Sequence, residues 1–121
     1  MMIGSVLSRH ALLPVTIHLP NKPDLSMEFV VDTGYTGYLT LPVAAVHAMG
    51  LPHLHRTSAD LADDTTVELD VYMATILWHG AITDVPVLAT GRRALLGTAL
   101  LDDCELTAQF HDGGLVTVDA L

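Results

Sequence analysis

The sequence predicts an all-β chain closed into a small barrel, with two short helices. Three observations carry that expectation. Short apolar runs, alternating or continuous, recur along the whole chain, and Gly, Pro, Asn and Asp turn signals punctuate them. Only two stretches carry helix boundaries. With about eight to ten short strands and no repeat, linker or low-complexity tract, closure of the sheet on itself covers its edges. The 121 residues suit one domain over 1–121, long enough for a core and too short for two.

In chain order, residues 2–8 and 14–19 read as strands, and in the second Val15, Ile17 and Leu19 alternate with Thr16 and His18. Pro20-Asn21-Lys22-Pro23 breaks the pattern as a turn, and Met27 to Val31 forms a continuous apolar strand. Extended structure resumes from Tyr38 to Leu41. Pro42 suits the first position of a helix, Val43 and Val46 share a face, and Gly50 stops it. Arg56 to Leu61 and Thr66 to Trp78 form a long hairpin about Ala62-Asp63-Asp64-Thr65. In its second arm Val67, Leu69, Val71, Met73, Thr75 and Leu77 share one side, with Glu68, Asp70 and Tyr72 opposite. So long an arm reads as a projecting lid, set against the plainer reading of a twisted hairpin. His79-Gly80 turns the chain into Ile82 to Leu88, where Pro86 suggests an edge strand. After the loop at Gly91-Arg92-Arg93 come Leu95-Leu96-Gly97 and a helix from Thr98, its cap, to Asp102. Cys104 to Phe110 is a strand with Leu106, Ala108 and Phe110 inward. His111-Asp112-Gly113-Gly114 then turns the chain into the closing strand, Leu115 to Val118.

Composition narrows the function classes. Half the residues are hydrophobic and the mean hydropathy is +0.45, a surplus that fits a subunit interface. No apolar run approaches the roughly eighteen residues of a membrane span, and the N-terminus lacks the basic region of a signal peptide. A cytoplasmic protein without membrane partners is therefore expected. Five basic residues against fourteen acidic ones leave a formal charge of −9, which repels phosphate backbones and argues against nucleic-acid binding. The single Cys104, flanked by Asp103 and Glu105, reads as a packed thiol whose acidic neighbours raise its pKa.

One stretch carries chemistry. Phe29-Val30-Val31 delivers Asp32 onto the turn Thr33-Gly34, and Tyr35-Thr36-Gly37 follows. A carboxylate at the rim of a core strand is partly desolvated, a preparation for acid–base work, although Asp-Thr-Gly is also a plain turn sequence. About sixty residues later stands Ala94-Leu95-Leu96-Gly97 before Thr98 to Asp102. Together, hydrophobic-Asp-Thr-Gly and hydrophobic-hydrophobic-Gly resemble the retropepsin-like (clan AA) aspartic proteases, most of all their small bacterial single-motif members. The intervening spacers fit that family too, so the resemblance covers nearly the whole chain.

The resemblance implies an acid-protease-like barrel with one half-site per chain. A peptide bond can be hydrolysed by two close carboxylates that share one proton. The chain carries one Asp-Thr-Gly, so a two-fold homodimer would bring Asp32 of each subunit to the axis. Asp32 would be the catalytic acid/base, Thr33 would bridge to the partner's backbone, and Gly34 would admit substrate. Leu95, Leu96 and Gly97 would floor the site, and Ala62, Asp63, Asp64 and Thr65 would form the tip of a flap. The expected protein is thus a homodimeric aspartic endopeptidase acting on peptides, with no cofactor and no metal. An inert peptide-binding or structural dimer of the same fold is the alternative.

Three positions depart from the family pattern. Tyr35 stands where a small Ala or Ser is usual, so its ring would narrow the substrate groove. The flap tip is acidic and has no glycine, and Thr98 replaces an Arg or Asn. A metal site is a distant reading resting on His53-Leu54-His55, whose two histidines would face one side of a regular strand. The serines lack a Gly-x-Ser-x-Gly elbow, and Arg92-Arg93 could hold an acidic group or stand solvated.

Overall fold

A computed structural model describes residues 1–60 and 63–121. Ten strands and one helix follow in the order β1 (Met2–Leu7), β2 (His10–His18), β3 (Leu25–Val31), β4 (Leu39–Leu41), α1 (Val43–Met49), β5 (His53–Asp60), β6 (Thr66–Trp78), β7 (Ala81–Ala89), β8 (Leu95–Leu96), β9 (Cys104–Ala108) and β10 (Leu115–Ala120). All ten belong to one sheet, ordered β5-β6-β7-β4-β8-β3-β2-β1-β10-β9. A further pairing of β6 with β2 bends the middle of that sheet into a ring of six strands, β6-β7-β4-β8-β3-β2. The chain is thus mostly β. No helix among the described residues is long and apolar enough to cross a membrane.

The ring encloses the core. Leu13, Val15 and Ile17 of β2 meet Phe29 of β3, Leu39 and Leu41 of β4, Ala74 and Ile76 of β6, Val85 and Val87 of β7 and Leu96 of β8, all essentially without solvent contact. Alternation along β2 sends Thr16 and His18 outward, as the pattern predicts. β4 is buried at every position, which suits a short strand lodged between two neighbours. Outside the ring, β1, β10 and β9 extend the sheet over a smaller cluster of Val6, Ala11 and Val116.

The helix α1 caps one end of the core through Val46 and Met49. Val43 does not share that packing and is half exposed, because its first-turn position lies outside the contact stripe. Gly50 ends the helix in the left-handed conformation, φ 67°, and returns its amide to His47. The expected second helix is absent. Residues 98–103 make successive turns, and the amides of Thr98 and Ala99 bond to the carbonyls of Tyr35 and Gly37 at 2.8 and 3.1 Å. The Thr98 hydroxyl, read as a helix cap, donates to Tyr35 O at 3.4 Å instead.

Two further expectations, for Pro86 and Phe110, change, and the structure assigns the faces of β6. The apolar side of β6 is not its core side: Ala74 and Ile76 point inward, while Val71, Met73 and Leu77 face outward over surface clefts or solvent. Pro86 lies inside the sheet and not on an edge strand. It is tolerated because β7 pairs with β4 only over Val87–Ala89, which leaves the stretch before it with β6 alone. Phe110 is exposed, since β9 stops at Ala108 and the chain turns away.

Candidate functional site

β3 and β4 separate at their ends and β8 enters between them, parallel to β3 (Val30↔Leu95, Val31↔Leu96) and antiparallel to β4 (Leu39↔Leu96, Thr40↔Leu95). The loop 32–38 must therefore cross the end of β8. Backbone bonds join the two segments along their length. Val30 and Asp32 donate to Ala94 and Leu96 at 2.9 Å, and Gly97 and Thr98 donate back to Tyr38 and Tyr35 at 2.8 Å. The two sequence motifs thus meet, with fully buried Leu96 behind Asp32.

So close a crossing leaves no room for a side chain at Gly97. A Cβ there would overlap the Gly37 carbonyl oxygen and would lie 2.6 Å from Tyr35 Cδ2. At Gly37 it would overlap the Tyr35 ring itself, which folds back over that residue. Gly34 is different: a Cβ would meet only Asp32 Oδ1, at 3.2 Å.

Asp32 is half-buried, and its Oδ1 accepts the Gly34 amide at 2.9 Å. The Tyr35 amide donates to the Asp32 carbonyl at 3.2 Å and closes the turn. Thr33 and Gly34 are exposed at its tip. Asp32 and Thr33 open onto a cleft of about 360 Å³ whose other walls are Val30, Val31, Leu95, His10 and Arg93. Tyr35 faces a different cleft, of about 270 Å³, formed with Gly37, Tyr38, His55, Thr57, Val71, Pro86 and Leu88. Burial pushes the Tyr35 phenol above its ordinary value of 10.0. The ring packs onto its own loop and walls this second cleft, and it does not line the Asp32 cleft.

Of the hairpin-tip residues, Ala62 lies outside the described residues. Asp63 accepts the Thr65 hydroxyl at 2.6 Å and the Thr65 amide at 3.1 Å, which holds its carboxyl below the usual range. Asp64 takes the left-handed conformation, φ 63°. Neither cleft is lined by Asp63, Asp64 or Thr65.

A bulge in β5 decides the histidine pair. His53 pairs with Tyr72 and His55 with Val71, so the two stand on opposite faces of the sheet. His53 Nε2 donates to Asp70 Oδ1 at 3.0 Å, while His55 turns to the Tyr35 cleft. Among the described residues no group of three His, Cys, Asp or Glu side chains is placed to hold a metal ion.

One site neighbour lacked a local signal. His10 reaches the Asp32 cleft because Ser8 and Arg9, with φ of 49° and 68°, make a two-residue turn between β1 and β2 without glycine or asparagine. Cys104 Sγ lies 3.6 Å from His79 Nε2, a contact between residues far apart in sequence. Burial first, then Asp103 and Asp102, push that thiol up, which opposes a thiolate nucleophile. Comparisons with protein-family models, curated proteins and solved structures return no match for this chain.

Proposed function

We propose that this chain is one half of a homodimeric, retropepsin-like aspartic endopeptidase with an acid-protease-like barrel. The observation that carries the reading is the crossing of the Asp32 loop over β8, which fixes the Asp-Thr-Gly backbone while leaving Asp32 at the mouth of a cleft. A lone carboxylate there does not complete the chemistry, because activating water and protonating a carbonyl oxygen are opposite tasks. A second Asp32, brought by a two-fold axis, supplies the missing partner. One carboxylate would take a proton from water as the oxygen attacks the peptide carbonyl, and the other would protonate that carbonyl oxygen. Collapse then breaks the C–N bond, with a proton returned to the leaving amine.

The terminal strands support a dimer. Ile3, Leu7 and Leu115 are exposed on β1 and β10, an apolar surface a monomer would leave in water. The test joins activity to assembly. Asp32→Asn is expected to abolish cleavage of a mixed peptide library and to leave the melting temperature and the sedimentation coefficient of a dimer unchanged. Cleavage that survives in this variant, or an active monomer at micromolar concentration, would refute the dyad.

A further inference from the structure

The cleft beside Asp32 contains an arginine for which the proposed reaction has no use. Arg93 and His10 line it together with Asp32, Thr33 and the apolar Val30, Val31 and Leu95. Placement of Arg93 is not a matter of loop drift. The next residue, Ala94, accepts the Val30 amide at 2.9 Å, and Leu95 pairs with Val30. The arginine therefore leaves the sheet at a fixed point on the cleft wall. His10 is fixed likewise, as the first residue of β2, paired with Leu7.

Among the described residues, Arg56 alone of the five Lys and Arg side chains forms an ion pair. Acids outnumber Lys and Arg by fourteen to five, so a guanidinium has many carboxylates to find. Arg56 finds two, Glu68 at 3.4 Å and Asp70 at 3.5 Å. Arg93 forms no ion pair among the described residues, not even with the Asp32 carboxylate that shares its cleft. A planar fork of donors left open beside an imidazole suits a carboxylate, which it can grip through two parallel hydrogen bonds.

We infer that the His10–Arg93 cleft is a subsite for a carboxylate on the peptide presented to Asp32, with Arg93 as the specificity-determining residue and His10 as a second donor. The inference takes from the endopeptidase reading that the ligand is a peptide. The carboxylate could be an Asp or Glu side chain near the scissile bond or the peptide's own C-terminus. Either would enter an acidic protein against its net field, so the local cation sets the selectivity.

The probes are fluorescein-labelled octapeptides of Ala, Leu and Phe in which Glu, Gln or Lys is scanned through each position, each made with a free and an amidated C-terminus. Fluorescence polarisation measures binding to the Asp32→Asn protein, which leaves the peptides intact, and cleavage is followed with the unaltered protein. A Glu peptide is expected to bind roughly tenfold or more tightly than its Gln counterpart at one position of the scan. If the C-terminus is the source, the free acid beats the amide by that factor instead. Arg93→Gln should erase the preference, Arg93→Glu should turn it toward Lys, and His10→Asn should weaken it. Arg92→Gln, outside the cleft, should leave it unchanged. Equal binding of Glu, Gln and amidated peptides, no binding at all, or a preference that survives Arg93→Gln overturns the inference. Asp32-dependent cleavage without carboxylate preference would sink the subsite and leave the endopeptidase reading standing. An Arg93-dependent preference with no Asp32-dependent cleavage would do the reverse, leaving a carboxylate-binding cleft.

Discussion

The Asp32 crossing and the hairpin of β5 and β6 are built on opposite principles. At the crossing, backbone bonds join residues 30–38 to residues 94–99, and two glycines remove the side chains that would keep them apart. In the hairpin, Arg56–Asp60 pair with Thr66–Asp70 and with no other strand, because pairing to β7 begins only at Val71. β5 is exposed along nearly its whole length. Apart from the ladder it is held by exposed polar contacts: Arg56 with Glu68 and Asp70, His53 with Asp70, and Thr66 with Asp60. The difference teaches that the chain concentrates its intolerance to change in a few backbone contacts and leaves the projecting arm replaceable. The arm can then alter its shape or charge without disturbing the carboxylate.

That contrast breaks most sharply at Gly97. Gly97→Ala puts a methyl group into the Gly37 carbonyl and the Tyr35 ring, both fixed by the crossing itself. The expected loss is about 3 kcal/mol or more, a fall of roughly 10 °C in melting temperature. The same change at Gly34, where only Asp32 Oδ1 is near, should cost under about 1 kcal/mol. Similar melting temperatures for the two variants would show that the crossing is not rigid.

Tyr35 sharpens the comparison from the side-chain end. Tyr35→Ala removes a half-buried ring from over Gly37 and should cost about 2–3 kcal/mol. Tyr35→Phe keeps the ring and should cost less than about 1 kcal/mol. A Tyr35→Ala protein as stable as the parent would place the ring in the cleft alone, as a subsite wall.

Much of this was legible beforehand, and the limits are physical. Period-two alternation identified β2, the continuous apolar run identified β3, and the two glycine-bearing motifs were expected to meet. Turns built on positive φ without glycine were hidden: Ser8-Arg9 carries no sequence mark, so β2 begins at His10 and not at residue 14. The segment expected as a helix from Thr98 is a run of turns tied through the Thr98 and Ala99 amides to the Tyr35–Gly37 loop, a contact no local window contains. Periodicity could not tell the two faces of β6 apart, because a strand in a ring can bury one face and line clefts with the other. His10 and Arg93 share a cleft only through the pairing of three strands, which no local window contains.

The two regions should also respond to opposite ends of the pH scale. Tyr35 is raised above 10.0 by burial, and Cys104 above 9.0 by burial and then by Asp103 and Asp102. In both, the unfolded form ionises first as pH rises. Stability they support is whole below pH 9.0 and falls as pH climbs through the folded values. Asp63 is lowered by its bonds to Thr65, so its contribution is present above the ordinary value of 3.8 and fades as pH drops through the folded one. Urea midpoints at pH 8 and 10.5 should diverge, and Tyr35→Phe should narrow the gap. The protection factor of the Thr65 amide should fall in acid before that of the Gly97 amide. An unchanged gap in Tyr35→Phe would remove the phenol from this account.

The smallest effect belongs to the arm. Arg56→Ala breaks two exposed ion pairs and should shift stability by no more than about 1 kcal/mol, less in high salt. A loss comparable to that of Gly97→Ala would mean the arm is fastened to the ring more tightly than its pairing indicates.

The ring closes through two residue pairs, Ile17 with Ile76 and His18 with Thr75. Neither can form until the chain between β2 and β6 has been gathered, so the seam closes a long loop for little early reward. We expect the β6–β7 hairpin, joined by the short turn at His79-Gly80, to form ahead of it. The seam then forms after the rate-limiting step, and a truncation such as Ile76→Val should quicken unfolding while hardly slowing folding. A folding limb slowed as much as the unfolding limb is quickened would place the seam in the nucleus instead. A protein that completes its ring last exposes the inner edges of β2 and β6 on every passage to the native state. The window for two newly made chains to exchange those strands therefore closes only with this last step.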